Sequence, residues 1–250
     1  MADPRTLFIT GASSGIGAAV ARMAARPGLT VLVHYGQNID GAEQVAEDVR
    51  AMGGEAHLLM ADLGEPESVA PMIAQAAALA APDHPLDLVN NAGIVDVRAS
   101  ITDMTPDRLT RMFTINVVSA ILVARGAVEL MRRKAAGGGI VNTSSAAARL
   151  GSAHQFLDYA ASKGAIDTFT LGLADELAAE GIRVNAVRPG LIDTDIHAKG
   201  GMPDRAAQLA GNIPMQRTGT PEEVAQAILW LLSDAASYTT RSILDVAGGR

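Results

Sequence analysis

Short apolar runs alternate along the chain with longer amphipathic segments. Most of the runs are continuously hydrophobic and do not alternate between apolar and polar positions. That pattern is typical of parallel strands that are covered on both faces. We therefore predict strands at residues 6–10, 30–35, 56–61, 86–90, 139–144, 183–188 and 242–247.

The amphipathic segments between these runs predict helices. Two of them open with a threonine followed by proline, Thr105–Pro106 and Thr220–Pro221, which suits an N-cap and the first helical position. Gly181 fits the position just after a helix end. The predicted helices begin near Gly15, cover about 40–52, open at Pro66, run from Pro106 to about 134, include Tyr159 and end before Gly181, and run from Pro221 to about Ser233.

Strands that alternate with helices along the whole chain favour an α/β fold with one doubly wound, Rossmann-type sheet. We expect about seven mainly parallel strands with helices on both faces. The sequence has no linker, repeat or low-complexity tract, so we interpret residues 1–250 as a single domain. Residues 191–214 are irregular and contain Gly-Gly and proline, which favours a substrate-binding loop or lid.

Composition excludes several classes of function. The net charge of −7 argues against a nucleic-acid partner, which would need a basic face. The chain has no cysteine, so disulfides and thiol nucleophiles are excluded. We also expect no membrane partner and a cytoplasmic location, since the N-terminus lacks a signal-peptide pattern and no apolar run approaches the length of a membrane span. His34, His154 and His197 have no ligand spacing, so we interpret them as surface or loop residues and expect no metal site.

A glycine-rich loop follows the first predicted strand, in the stretch FITGASSGIG. Glycine at these positions lets the turn close and lets the backbone approach phosphate oxygens, while the helix N-terminus offers free amides to a pyrophosphate. The spacing is GxxxGxG and not the commoner GxGxxG. We therefore predict a dinucleotide site that includes Gly11, Ser13, Ser14, Gly15, Ile16 and Gly17.

The end of the second strand indicates which dinucleotide is bound. NAD-binding proteins usually carry an acidic residue there, which bonds to the ribose 2′-hydroxyl. Here the strand ends at Tyr35, followed by Gly36, Gln37 and Asn38, and the first acid, Asp40, comes late. Without a carboxylate to repel a 2′-phosphate, NADP(H) is favoured. NAD(H) stays possible because no arginine is present either. The phosphate would have to be bound largely by neutral hydrogen bonds from Ser14 and the polar residues at the strand end, Tyr35, Gln37 and Asn38.

The order of motifs closely resembles that of the short-chain dehydrogenase/reductase (SDR) family over essentially all 250 residues. The matching stretches are TGASSGIG, ADL, NNAG, FTINVVS, IVNTSS, YAASK and RPGLIDT. The resemblance implies cofactor contacts at Asp62, Leu63, Asn91, Ala92, Gly93, Tyr159, Lys163, Pro189, Gly190, Ile192 and Thr194, and catalytic roles for Asn116, Ser145, Tyr159 and Lys163. Within the family the chain looks most like bacterial proteins related to glucose or ribitol dehydrogenases and 3-oxoacyl-carrier-protein reductases.

Two features depart from the family pattern. Ser145 lies 14 residues before Tyr159, slightly more than is common, and the adjacent Ser144 is an alternative to it. We prefer Ser145 because the family's serine is the last of its motif. The glycine loop also lacks the arginine that many NADP-binding members carry.

Elementary chemistry explains why a tyrosine and a lysine four positions apart suit a carbonyl reduction. A free phenol has a pKa of about 10, too high for efficient proton transfer near neutrality. An ammonium about 5 Å away at an effective dielectric of about 20 contributes roughly 3 kcal/mol, or about two pK units. The resemblance further implies that Lys163 holds the nicotinamide ribose, that Ser145 binds the substrate oxygen, and that Asn116 holds a water that links Lys163 to solvent.

These features predict an NAD(P)-dependent oxidoreductase that interconverts a carbonyl and an alcohol, on a small sugar, polyol, ketone or aldehyde. Residues 94–100, 146–156 and 191–212 should form the substrate pocket. Two alternatives stay open: an NADP(H)-binding regulator without turnover, and an SDR-type epimerase or dehydratase. The resemblance also implies a homotetramer or homodimer that uses the fourth and fifth helices and the C-terminal strand.

Overall fold

A computed structural model of the protein describes residues 4–81, 83–134, 137–194 and 210–250. Seven strands form one sheet, in the order β3-β2-β1-β4-β5-β6-β7, and every neighbouring pair is parallel. They are β1 Arg5–Ile9, β2 Leu29–Tyr35, β3 Glu55–Met60, β4 Leu86–Asn90, β5 Gly138–Thr143, β6 Ile182–Pro189 and β7 Ile243–Val246. The predicted α/β doubly wound sheet is confirmed.

The helices lie close to where the sequence predicts them. They are α1 Gly15–Ala24, α2 Ile39–Ala51, α3 Val69–Leu79, α4 Pro106–Phe113, α5 Ala120–Lys134, α6 Ala147–Leu150, α7 Leu157–Leu177 and α8 Pro221–Leu232. Thr105 and Thr220 cap α4 and α8 through their hydroxyls, as predicted. Gly181 follows the 3-10 turn at the end of α7 with φ of 74°, the left-handed conformation expected just after a helix.

Two local features were not predicted. The single helix expected from Pro106 to about 134 is interrupted by a π-helical turn, Thr114–Ser119, between α4 and α5. The short helix α6 lies in the loop between β5 and α7, where no helix was expected. Both features lie beside residues of the candidate active site.

Apolar side chains pack on both faces of the sheet. One core contains Val20, Val45 and Ile228 from α1, α2 and α8. The other contains Met72, Val123 and Leu177 from α3, α5 and α7. Covering on both faces explains why the strands are continuously apolar in sequence.

The helical stretch Pro106–Arg133 is long and apolar enough to cross a membrane by length and composition alone. Half of its most apolar window is buried inside the protein. It contributes Met112, Val123 and Ala127 to the interior, so the core helix of a folded domain accounts for its composition.

The strand order reverses between β1 and β4. The chain runs outward from β1 through β2 to β3, and then returns to build β4 to β7 on the other side of β1. In open α/β sheets, ligands bind at such a reversal, outside the carboxyl ends of the strands. A ligand site is therefore expected at the loops after β1 and β4.

Candidate active site

A cleft of about 1050 Å³ opens at this edge of the sheet. Most of the predicted cofactor residues line it. They are Gly11, Ser13, Ser14, Gly15, Ile16, Gln37, Asn38, Asp62, Leu63, Asn91, Ala92, Gly93, Tyr159, Lys163, Pro189, Gly190, Ile192 and Thr194. Ser145 lines the same cleft, whereas Gly17, Tyr35 and Asn116 are not part of its wall.

The glycine loop has the geometry of a phosphate cradle. Gly11 has φ of 63°, and a Cβ there would lie 2.9 Å from the Cα of Ala92. Gly17 packs even more closely, since a Cβ there would lie 2.4 Å from the carbonyl oxygen of Gly11. Gly17 therefore allows the close packing of a turn in which Gly11 and residues 13–16 line the cleft.

The N-terminus of α1 fits an anionic group. Ser14 is the N-cap residue, but its side chain makes no capping hydrogen bond, and the first turn holds no acidic residue. The first amides of the helix are thus left for another acceptor. Their dipole favours negative charge at this point, which suits a dinucleotide pyrophosphate.

Hydrogen bonds from the end of β4 brace this loop. The Thr10 hydroxyl accepts hydrogen bonds from the backbone amides of Asn91 and Ala92, at 2.9 and 3.0 Å. The Asn91 side-chain amide donates to the carbonyl oxygens of Thr10 and Gly11, at 3.1 and 3.2 Å. The loops after β1 and β4 are therefore locked together across the reversal of strand order.

The residues after β2 divide into two groups. Gln37 and Asn38 line the cleft, while Tyr35 packs against the core beneath α1 and α2. The Asn38 side chain caps α2 by accepting from the Gly41 amide at 3.1 Å, and it donates to the Ser13 carbonyl at 3.4 Å. Tyr35 thus lies outside the cleft wall, so its cofactor contact stays a prediction, and Asn38 also has a structural role.

His34 is the residue that the sequence interpretation placed wrongly. It is not a surface or loop residue, because it lies in β2 with 2% of its surface exposed. Its ring accepts a hydrogen bond from the Gly11 amide at Nδ1, 3.0 Å away, and contacts the Ala61 carbonyl through Nε2 at 3.2 Å. The available signal was its position in a strand covered on both faces, where a polar side chain needs partners.

Tyr159 and Lys163 lie one turn apart on α7 and face the cleft. The Lys163 Nζ is 5.8 Å from the centre of the Tyr159 ring and donates to the Thr143 carbonyl at 2.8 Å. Burial lowers the pKa of Lys163 to about 8, and the nearby Asp167 carboxylate opposes that change. The ammonium therefore still predominates near neutral pH, beside the phenol ring.

The two adjacent serines after β5 have different environments. Ser144 is buried, and its hydroxyl donates to the Lys163 carbonyl at 3.2 Å, which ties β5 to α7. Ser145 is half-buried, and its Oγ accepts from the Ala147 amide at 3.1 Å at the start of α6. Since a hydroxyl in that position can still donate its proton into the cleft, the geometry favours Ser145 as the substrate-facing serine.

Asn116 lies in the π-helical turn, and such turns are frequent at functional sites. Its side chain pairs with the backbone of Ile94, accepting at 2.8 Å and donating at 3.0 Å, and it also lies 3.1 Å from the Ser162 hydroxyl. A Cβ on Gly93 would touch both Asn116 Oδ1 and Lys163 Nζ, at 3.2 and 3.3 Å. Asn116 therefore supports the wall next to Lys163, and its role in a water relay stays a prediction.

Comparison with known proteins identifies the family. A family profile described as enoyl-(acyl carrier protein) reductase matches residues 11–250. The uncharacterized oxidoreductase YgfF of Escherichia coli (strain K12) is 50% identical over 246 residues, which cover 97% of this chain and 98% of that protein. A glucose and ribitol dehydrogenase homolog of Oryza sativa subsp. japonica is 40% identical over 258 residues, covering 98% and 85%. The chain belongs to the short-chain dehydrogenase/reductase family.

A solved SDR structure agrees with this assignment. The angucycline C-6 ketoreductase LanV with bound NADP has a TM-score of 0.90 at 31% identity, covering 99% of this chain and 95% of that chain. Together with the sequence relatives, it makes the present protein an NAD(P)-dependent SDR enzyme. The sequence-based prediction of the enzyme class is confirmed.

The segments predicted to form the substrate pocket bring several apolar side chains to the cleft. Ile94, Val95, Leu150, Phe156 and Leu191 line it. An ion pair between Asp96 and Arg111 adds charge to the wall, and both residues belong to the cleft lining. The wall therefore combines a hydrophobic surface with a charged pair.

The predicted loop at 191–214 is described only at its two ends. Residues 191–194 follow β6, and Ile192 pairs with Gly219 in an isolated bridge. Residues 195–209, which include the predicted pocket residues His197 and Met202, lie outside the described residues.

Proposed function

We propose that the protein is a carbonyl reductase or alcohol dehydrogenase that prefers NADP(H), with Tyr159 as the general acid and base. The observation that carries the proposal is the pair of Tyr159 and Lys163 facing the cleft that Ser145 also lines. A phenol, a neighbouring cation and a hydroxyl donor are the groups that a carbonyl oxygen needs as it becomes an alkoxide.

We assign roles to these side chains from the family resemblance, and their positions in the cleft support the assignment. The nicotinamide cofactor supplies hydride in reduction and accepts it in oxidation. Tyr159 gives its phenolic proton to the carbonyl oxygen in reduction and takes it back in oxidation. Ser145 donates a hydrogen bond to the same oxygen and orients it. Lys163 would hold the ribose hydroxyls of a bound cofactor, and its charge favours the phenolate.

The preference for NADP(H) is supported by the cleft wall after β2. Gly36, Gln37 and Asn38 place no carboxylate where a 2′-phosphate would lie. A related ketoreductase with a similar structure holds NADP. Asp40, in the first turn of α2, is the group that works against a phosphate at this point.

The substrate class is proposed from the lining of the cleft. Apolar side chains such as Phe156 and Leu150 suit the carbon skeleton of a ketone or aldehyde, and the Asp96–Arg111 pair suits hydroxyl groups of a sugar or polyol. Relatives named for glucose and ribitol and for an angucycline ketone span the same range. We propose a small carbonyl compound, or the corresponding secondary alcohol, from these classes.

The test is turnover measured by the absorbance of the reduced nicotinamide. Purified protein is assayed with NADPH and NADH against sugars, ketones and aldehydes, and with NADP and NAD against polyols and cyclic alcohols. We expect turnover with at least one carbonyl–alcohol pair and a lower dissociation constant for NADPH than for NADH. Tight cofactor binding without turnover on the panel would instead favour a sensor, and equal or reversed dissociation constants would refute the NADP(H) preference.

We further propose that the protein forms a homodimer or homotetramer in the cytoplasm. Exposed apolar side chains at Leu109, Val118 and Ile121 on the α4–α5 stretch, and Leu244 on the edge strand β7, support an interface. Light scattering coupled to size-exclusion chromatography tests it. A monomer at assay concentration would contradict the proposal.

A further inference from the structure

We propose that His34 is a positioning residue for the cofactor: its ring holds the Gly11 amide and so fixes the turn that receives the pyrophosphate. His34 lies in β2, and it is one of the residues that line the cleft next to the glycine loop. It is one residue before the end of its strand. The inference uses the cofactor dependence of the enzyme and needs no assumption about its substrate.

His34 contacts the glycine loop through both its backbone and its side chain. The carbonyl oxygen of His34 accepts from the Ala12 amide at 2.8 Å, and its Nδ1 accepts from the Gly11 amide at 3.0 Å. Two consecutive amides of the loop are thus held by a single residue of the neighbouring strand. Gly11 is also fixed by its left-handed φ of 63° and by the close approach of Ala92. Little freedom remains in the turn as long as both bonds are made.

The other nitrogen of the ring contacts a second segment that lines the cleft. Nε2 lies 3.2 Å from the carbonyl oxygen of Ala61, directly before Asp62 and Leu63. The Ala61 amide in turn donates to the Tyr35 carbonyl at 3.2 Å. The imidazole therefore bridges the phosphate-binding loop and the segment that resembles the family's adenine site.

The partners define the state of the ring. Because Gly11 N–H is a donor, Nδ1 must be unprotonated, and because the Ala61 carbonyl is an acceptor, Nε2 must carry the hydrogen. The ring is therefore the neutral Nε2–H tautomer. Burial supports this state, since it lowers the pKa of His34 to about 4. A neutral ring that accepts at one nitrogen and donates at the other satisfies both backbone groups.

An apolar side chain at this position would leave both backbone groups unpaired. A buried donor or acceptor without a partner is unfavourable because it has lost its water and gained nothing in exchange. The Gly11 amide could regain a partner only if the loop shifted, and the phosphate cradle would shift with it. The expected consequence is weaker cofactor binding, with the chemical step largely unchanged once cofactor is saturating.

Two substitutions separate the two bonds. In His34→Asn, the side-chain oxygen takes the place of Nδ1 and can still accept from Gly11, but nothing reaches Ala61. In His34→Gln, the side-chain amide takes the place of Nε2 and can still donate to Ala61, but no acceptor faces Gly11. His34→Leu removes both. His57→Asn, in the adjacent strand β3 and outside the cleft wall, is the matched control.

The measurements are the dissociation constant of NADPH by fluorescence titration and the melting temperature without cofactor. We expect His34→Asn to bind NADPH within about threefold of the wild type, and His34→Gln to bind at least tenfold more weakly, although each variant loses one hydrogen bond. The control should leave the dissociation constant unchanged. If His34→Asn and His34→Gln lose the same NADPH affinity, and the losses follow the falls in melting temperature, His34 has only a general packing role. That result would overturn the proposal. The reverse order of affinities would overturn it as well.

Discussion

Tyr159 and Lys163 show how one helical turn combines two chemical functions. The backbone of α7 sets their spacing. Only 4% of the surface of Lys163 is exposed, so its charge interacts more strongly with the tyrosine ring than it would in water. A cation in a partly buried site is screened less than one at the surface. The proposed chemistry therefore depends on two properties of single residues: the phenolic proton and the protonation of the lysine.

Replacing Tyr159 by phenylalanine tests the phenolic proton. Tyr159→Phe keeps the ring and its packing but removes the acid, so we expect kcat to fall roughly 100-fold to 10,000-fold. The dissociation constant of NADPH should change little. Tyr238→Phe, at a fully exposed tyrosine, is the control and should keep full activity. Turnover retained by Tyr159→Phe would remove the assigned role.

Replacing Asp167 by asparagine tests the protonation of Lys163. The Asp167 carboxylate raises the pKa of Lys163 against the effect of burial. Its partner Arg188, 2.8 Å away, would also lose its counter-charge, so both changes lower the pKa of the lysine. The ammonium is then lost at a lower pH, and binding of cofactor should begin to weaken at a lower pH than in the wild type.

The measurement is the NADPH dissociation constant as a function of pH from neutral to alkaline. Asp175→Asn is the matched control, because Asp175 lies two turns further along α7 and pairs with the exposed Arg241. The control should keep the wild-type profile. A profile of Asp167→Asn that overlays the wild type would contradict the electrostatic link.

At the scale of elements, the sequence predicts the strands and the main helices well, and the segments that connect them less well. The strands are predicted because both faces of the sheet are covered, and α4 and α8 begin at the predicted threonine caps. The π-helical turn at Asn116 was missed, since the apolar pattern continues through it and the extra residue is accommodated by the tertiary contacts of Asn116 with Ile94. The short helix α6 was missed because its four residues carry no periodic signal.

Arg108 connects three elements around the active site. Its guanidinium donates to both carboxylate oxygens of Asp158, at 2.7 and 3.2 Å, and to the Val97 carbonyl at 2.7 Å. These bonds join α4 and the loop after β4 to the first turn of α7, next to Tyr159. The side chain of Asp158 is 0% exposed, so it depends on this partner.

We expect Arg108→Gln to destabilise the protein by about 3 kcal/mol, because it leaves a buried carboxylate without its cation. Displacement of the first turn of α7 should also lower kcat. The control is Arg132→Gln, which breaks a similar bidentate pair between α5 and Glu180 in the 3-10 turn after α7, where both side chains are well exposed. Little change is expected there. Denaturant unfolding and steady-state kinetics provide the two readouts, and equal effects of the two substitutions would contradict the argument.

The whole molecule brings together loops that are distant in sequence. The cleft is formed by the segments after β1, β2, β3, β4, β5 and β6, which the parallel sheet aligns at one edge. The order of the motifs predicts that these segments lie side by side, because the carboxyl ends of parallel strands share one edge of the sheet. It does not predict a contact such as that between Gly11 and His34, since such a contact depends on the register of β1 against β2.

The pH dependence of folding stability should report the buried His34 in the intact protein. The pKa of His34 is about 4 in the folded state, below the value of about 6.5 for a free imidazole, so the folded state favours the neutral ring. The stabilisation from this group is complete above about pH 6.5 and is lost as the pH falls from there through about 4.

The difference of about 2.5 units between the two pKa values of His34 corresponds to a change of about 3 kcal/mol in the free energy of unfolding. His34→Asn has no titrating ring, so the gap in unfolding free energy between wild type and variant should narrow by about 2 kcal/mol between about pH 7 and about pH 4.5, where the folded-state pKa of about 4 is not yet reached. Urea unfolding at both pH values measures the gap. Acid effects on carboxylates are common to both proteins and cancel in the difference, and a gap that stays constant with pH would show that the imidazole is not buried in its neutral form.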